Sequence, residues 1–311
     1  MDPRFGVLGP VQVRDSAGRQ VSVGGPRPRA LTCALVAEAG RVVSVDRLID
    51  RVWGGEPPPA AVGTLYAYVS QLRKLLDPER RGNQASGLIA TTGSGYLLHA
   101  TPDEVDATLF ERLIEEAESA PPTDALDKVD GALTLWRGEP YLDLGDSPNL
   151  AGLTQPLLEM RLRAFELRIG ALLELGRTGP AASAARSLVR EQPLREPYWR
   201  HLMMATYRDG HQADALAAYA QCRRVLDQEL GMSPDAETEA LHTAVLRRDA
   251  APGPRPGPRG RYRRAVPAEG AGAPAAGGPG DADRPGTAAG QDQRRAVRDG
   301  LRIGLADRAR G

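Results

Sequence analysis

The sequence predicts a mostly α protein in three parts, and three observations carry that reading. The first is charge. The 311 residues hold 40 basic and 40 acidic side chains, but residues 1–100 net +4, residues 101–249 net −10 and residues 250–311 net +6. The second is order: residues 1–100 read as short β runs, three helices and a closing β-hairpin, the α+β order of a winged helix-turn-helix. The third is a period of 34 residues between Gly176 and Gly210, inside an otherwise all-α, tetratricopeptide-like segment over 103–249. A disordered tail over 250–311 completes the chain.

The elements follow from local chemistry. Phe5, Val7 and Leu8, then Val11 and Val13, then Val21 and Val23 form β-rich runs broken by Gly and Pro. Asp15-Ser16-Ala17-Gly18 supplies turn residues between two of them. Pro28 suits the first turn of a helix carrying Leu31, Ala34 and Leu35, which Gly40 ends. Val42-Val43 is short and extended. Ser44 then caps a second helix with Val45, Leu48, Ile49 and Val52 on one face, closed by Trp53-Gly54-Gly55. Pro57-Pro58-Pro59 forces a non-helical connection. A third helix runs from about Ala60 to Leu76 and stops at Asp77-Pro78. Two β runs at 88–91 and 96–98 flank Thr92-Gly93-Ser94-Gly95, a hairpin signature.

The third helix separates its faces by phase. Leu65, Val69, Leu72 and Leu76 form one stripe, which must be core. Gly63, Ala67, Ser70, Gln71 and Lys74 lie opposite, small at first and polar or basic later. Thr64, Tyr66, Tyr68 and Arg73 lie on the shoulders. A helix entering the major groove needs small residues where its backbone comes close, and donors that reach base edges and phosphates. Phase alone favours an ordinary amphipathic helix with a solvated face. The order of elements favours a DNA reader.

Residues 4–99 resemble the OmpR/PhoB-type winged helix through Tyr-Val-Ser-Gln-Leu-Arg-Lys at 68–74 and Gly-Ser-Gly-Tyr at 93–96. That resemblance implies an N-terminal sheet, a recognition helix at 60–76 and a wing at 88–98. It places Ala67, Gln71 and Arg73 on positions that meet DNA. Thr92 stands where relatives often carry an arginine, so a phosphate contact is expected there rather than base reading, with Ser94 in the same turn. The expected DNA-binding set is Thr64, Tyr66, Ala67, Tyr68, Ser70, Gln71, Arg73, Lys74, Thr92 and Ser94. Gln71 is the base-edge donor, and Arg73 and Lys74 supply phosphate charge. Arg27, Arg29 and Arg41 are weaker candidates, and Tyr96 reads as core.

From Asp103 onward the pattern is helical, with a long apolar stretch from Leu157 to Leu173. Leu175-Gly176-Arg177 is answered by Asp209-Gly210-His211, Ala181 by Ala215, Ala184 by Ala218, and Leu188 by Cys222. Small residues at helix crossings with this period suit stacked helix pairs, which leave a concave surface for protein contacts. A plain helical bundle has the same periodicity. Leu135-Trp136-Arg137-Gly138, Pro193-Leu194-Arg195-Glu196, the run from Tyr207 to Tyr219 and Glu229-Leu230-Gly231-Met232-Ser233-Pro234 resemble the bacterial transcriptional activation domain. Joined to the winged helix, the whole is similar to the SARP family, the Streptomyces antibiotic regulatory proteins. The resemblance implies a transcriptional activator of a biosynthetic gene cluster. It would bind direct repeats in promoter DNA, contact RNA polymerase holoenzyme, and have a second copy of itself on DNA as a further candidate partner.

Other chemistry is not encoded. Neither lysine, Lys74 or Lys128, belongs to a phosphate-binding loop. His99, His201, His211 and His242 lack ligand spacing, and two cysteines, Cys33 and Cys222, read as small core residues. No apolar run approaches the ~18 residues of a membrane span. The expectation is therefore a cytoplasmic, nucleoid-associated non-enzyme without cofactor, metal or receiver domain. Two rivals stay open: a helical-repeat protein-interaction module that never reads DNA, and a truncated, inactive form of a larger ATPase-containing regulator. The tail holds 13 Gly and 8 Pro in 62 residues and reads as disordered, either natural or the product of a frameshift.

Overall fold

A computed structural model describes residues 2–78, 87–145 and 150–248; the tail expected at 250–311 lies outside them. The chain divides into two compact units, Met1–Arg177 and Thr178 onward. The residue-100 boundary read from charge therefore falls inside the first unit.

That unit begins with an antiparallel sheet of β1 (Phe5–Gly6), β2 (Gln12–Arg14) and β3 (Gln20–Val21), in that order. The turn between β2 and β3 is built as its residues require. Asp15 Oδ1 accepts from the amides of Ala17 and Arg19, both at 2.9 Å, and Gly18 takes φ +77°. Helix α1 (Pro26–Ala37) has proline in its first turn and is followed by β4 (Val42–Ser44). The Ser44 hydroxyl accepts from the Arg47 amide at 3.2 Å and starts α2 (Val45–Trp53), which Gly54 ends in the left-handed region. Then come α3 (Ala61–Leu76) and the hairpin β5 (Ile89–Thr92) and β6 (Gly95–Leu98). The second sheet has the order β4-β6-β5, so the hairpin is anchored by Val42–Ser44 pairing with Leu97–Gly95. Gly95 is required there: a Cβ on it would lie 1.9 Å from the Val43 carbonyl oxygen.

Three more helices belong to the same unit: α4 (Asp106–Ser119), α5 (Pro122–Thr134) and α6 (Leu150–Glu174). A polar latch joins them to the N-terminal sheet. Asp106, only 1% exposed, accepts from the amides of Val7 at 2.7 Å and Leu8 at 3.0 Å, and from Arg137 Nη2 at 2.7 Å. Arg137 Nη1 donates to the Pro10 carbonyl at 2.7 Å. Asp143 accepts from the Val11 amide and pairs with Arg29 of α1 at 2.9 Å. Burial pushes the Asp106 carboxyl above its ordinary range, opposed by its three donors. Between Arg137 and Asp143, Tyr141 holds φ +54° while its amide donates to the Val7 carbonyl at 2.7 Å. Positive φ is unusual for a bulky residue, and the latch holds it in place.

The second unit contains α7 (Thr178–Glu191), α8 (Glu196–Arg208), α9 (Gln212–Leu230) and α10 (Ala236–Arg247). Helix α8 packs against α7 and α9, and α10 packs on both α8 and α9. Tyr198 and Trp199 fill the centre, with Trp199 Nε1 donating to the Pro193 carbonyl at 2.8 Å. Ala181 and its counterpart Ala215 are fully buried, as is Cys222. Gly176 ends the first unit at φ +70° and Gly210 repeats that left-handed conformation at φ +85°.

Candidate nucleic-acid interface

Helix α3 owes its orientation to its apolar stripe. Leu65, Val69, Leu72 and Leu76 are 2% exposed or less, as the phase of the sequence requires. With that side fixed inward, Gly63, Ala67, Ser70, Gln71 and Lys74 are all exposed on the outer face. The backbone is open to approach at Gly63, where an added Cβ would meet nothing within 4 Å. Small residues at the start and an amide and an ammonium two turns later are the chemistry a helix needs to sit in a groove and donate to bases and phosphates.

The shoulders are more committed. Thr64 donates its hydroxyl to the Ala60 carbonyl at 3.0 Å, reinforcing the first turn of α3. Tyr68 is half-buried and stacks on Trp53 of α2, with centroids 6.5 Å apart and planes 13° from parallel. Tyr66 is half exposed and meets the buried Tyr96 of β6 edge-on at 6.4 Å. Burial pushes the Tyr96 phenol above its ordinary pKa, and the neighbouring Arg73 opposes the shift.

Arg73, expected as a supplier of phosphate charge, is engaged by the hairpin. Its Nε donates to the Ile89 carbonyl at 2.9 Å and its Nη2 to the Thr91 hydroxyl at 2.7 Å. Its guanidinium carbon lies over the Tyr96 ring at 5.6 Å. The sequence placed Arg73 on the correct side of α3 but held no signal for its partners, one of which is a backbone oxygen. Lys74 is exposed at the next position.

In the hairpin, Gly93 and Ser94 form the exposed two-residue turn between Thr92 and Gly95. The Thr92 hydroxyl is buried without a hydrogen-bond partner among the described residues, so it faces inward rather than toward a phosphate. Two of the three arginines named as weaker candidates have structural partners: Arg27 donates to the Val52 carbonyl and Arg29 pairs with Asp143. Reading by phase left Val62 unassigned, although it is 44% exposed near the start of α3. The structure thus brings Ala67, Ser70, Gln71 and Lys74 onto one open face, and Tyr66, Arg73 and the hairpin onto one edge of it.

Among the described residues, no group of His, Cys, Asp and Glu side chains is placed to hold a metal ion, and no helix is long and apolar enough to cross a membrane. Cys33 and Cys222 are buried, and burial pushes both thiols well above their ordinary range, which keeps them protonated.

The chain matches two known families in succession. Residues 19–98 match the family described as transcriptional regulatory protein, C terminal, and residues 105–246 match the bacterial transcriptional activator domain. The chain is 35% identical over 247 residues to Transcriptional regulator RedD of Streptomyces coelicolor, covering 78% of this chain and 70% of RedD. It is 34% identical over 254 residues to Regulatory protein DnrI of Streptomyces peucetius, covering 79% of this chain and 93% of DnrI. Regulatory protein AfsR of Streptomyces coelicolor is 38% identical over 256 residues, and the matched region is 24% of that longer protein. A solved structure of Mycobacterium tuberculosis EmbR in complex with a low affinity phosphopeptide superposes with a TM-score of 0.72 at 31% identity, over 80% of this chain and 66% of that one. With an OmpR/PhoB-type winged helix followed by a bacterial transcriptional activator domain, this chain belongs to the SARP family of DNA-binding transcriptional regulators.

Proposed function

We propose that the chain activates a biosynthetic gene cluster by binding direct repeats in promoter DNA and recruiting RNA polymerase holoenzyme. Helix α3 enters the major groove, and the β5–β6 hairpin lies along the adjacent backbone. The observation that carries the reading is the outer face of α3, where Ala67, Ser70, Gln71 and Lys74 are exposed together opposite a fully buried stripe. Gln71 offers the paired donor and acceptor that suit an adenine edge, and Lys74 is a point charge for phosphate. The helices from Thr178 onward serve as the surface for polymerase or a neighbouring copy.

A reporter driven by a direct-repeat promoter tests this, with the full chain, residues 1–177 and the Gln71→Ala/Lys74→Ala pair. A cut at residue 100 is unsuitable, because it strips the Val7 and Leu8 amides of Asp106. The full chain activates, the double variant does not, and 1–177 binds the promoter without activating it. Equal activation by 1–177 would remove the role given to the second unit.

A further inference from the structure

We infer that Arg73 is a positioning residue that sets the wing against the recognition helix and acts on DNA through the hairpin. This rests on the reading of α3 and the hairpin as the DNA interface. Three contacts converge on the one side chain: the Ile89 carbonyl at 2.9 Å, the Thr91 hydroxyl at 2.7 Å and the Tyr96 ring at 5.6 Å. Two of these partners belong to β5 and the third to β6, so a single guanidinium ties α3 to both strands of the wing.

The geometry explains why arginine is used. A guanidinium offers donors in a fixed planar fork and a flat cationic face, so it reaches a carbonyl, a hydroxyl and a ring at once. A lysine keeps the charge but has a single rotating ammonium. The hairpin needs such a tie, because its base is anchored through β4 while its turn projects beyond the sheet. Pairing of β6 with β4 covers Gly95–Leu97 only, and Gly93 and Ser94 are exposed. The turn residues Thr91–Gly95 carry no charge. Wing contacts with DNA therefore release no counterions of their own, whereas a direct Arg73–phosphate contact would.

That difference makes the inference testable with the full chain and the duplex it selects from a randomised pool. Arg73→Met and Thr91→Val are compared with Thr91→Ser, Lys74→Ala and Gln71→Ala, each checked for an unchanged unfolding midpoint. Thr91 is exposed, so replacing its hydroxyl by a methyl leaves the core untouched. The positioning role predicts that Arg73→Met and Thr91→Val each weaken binding about fivefold, with the salt slope unchanged. Hydroxyl-radical protection beneath the wing is lost while protection beneath α3 persists. Thr91→Ser restores wild-type binding because it keeps the acceptor. Silence of Thr91→Val overturns the inference, as does a salt slope that falls by about one in the charge-removing Arg73→Met. If Gln71→Ala and Lys74→Ala are silent as well, the reading of α3 fails with it. If those two weaken binding and Thr91→Val does not, only the role given to Arg73 falls.

Discussion

Replacing Asp106 by alanine removes three acceptor contacts from the interior of the first unit at once. The carboxylate serves the amides of Val7 and Leu8, both in fully buried residues, and the guanidinium of Arg137. Each stranded buried amide costs about 1–3 kcal/mol. Arg137 keeps 25% of its side chain exposed and still reaches the Pro10 carbonyl, so its loss is the smaller share. Together the expected cost is about 3–5 kcal/mol, the range for breaking a buried pair by removing one partner. That is a large part of a typical domain stability of ~5–15 kcal/mol. Urea unfolding followed by circular dichroism at neutral pH reads it as a shifted midpoint. The double variant Asp106→Leu/Arg137→Met isolates the cause. It removes the ion pair but leaves the two amides unserved, so it recovers little. A loss below about 1 kcal/mol for Asp106→Ala, or full recovery in the double variant, would refute the assignment of Asp106 as the acceptor that joins α4 to the N-terminal sheet.

Other predictions address the interface and the second unit. Gly95→Ala places a Cβ 1.9 Å from a backbone oxygen of β4, and the expected cost is about 2–3 kcal/mol by urea unfolding, with weakened hydrogen-exchange protection of β4 and β6. Lys74→Ala lowers affinity for selected and scrambled duplexes alike and reduces the salt slope by about one, read by gel shift across a salt series. Asp235 caps α10 by accepting from the Thr238 amide at 2.7 Å. Burial raises its pKa, but Thr238 and Arg200 outweigh burial and hold the carboxyl below its ordinary value of 3.8. A depressed folded-state pKa contributes stability that is present above pH 3.8 and lost as pH falls through the folded value. Asp235→Asn still caps but lacks the charge that Arg200 favours, so its unfolding midpoint lies below the wild type at neutral pH and the difference closes as pH falls through the folded value.

What the sequence revealed was local or periodic. The α3 stripe, the Ser44 cap, the Asp15 turn and the glycine turns at 176 and 210 follow from residue spacing, and the structure places each as that spacing requires. The latch was hidden because its partners are distant in sequence and half of them are backbone. Asp106 lies 99 residues from Val7, and Asp143 lies 132 from Val11. Backbone amides carry no residue signature, so no pattern announces them. The charge changes at residue 100, between the two matched families, while the bridge from Phe5 to Val105 runs across that point. Arg73 shows the same limit within the candidate site. Its phase is correct, yet its tie to the Ile89 carbonyl is invisible until the hairpin is placed. Gly95 read as turn chemistry, whereas the structure shows its missing side chain making room for β4.

The central claim is that the outer face of α3 reads base sequence, and Gln71 is where it is most exposed to test. Binding of wild type and Gln71→Ala is compared on the selected duplex and on a scrambled one at a single salt concentration. Loss of an amide contact to one base is worth about 1–3 kcal/mol of discrimination. The predicted result is a specificity ratio at least fivefold lower for Gln71→Ala, with affinity for the scrambled duplex unchanged. An unchanged ratio would contradict the claim.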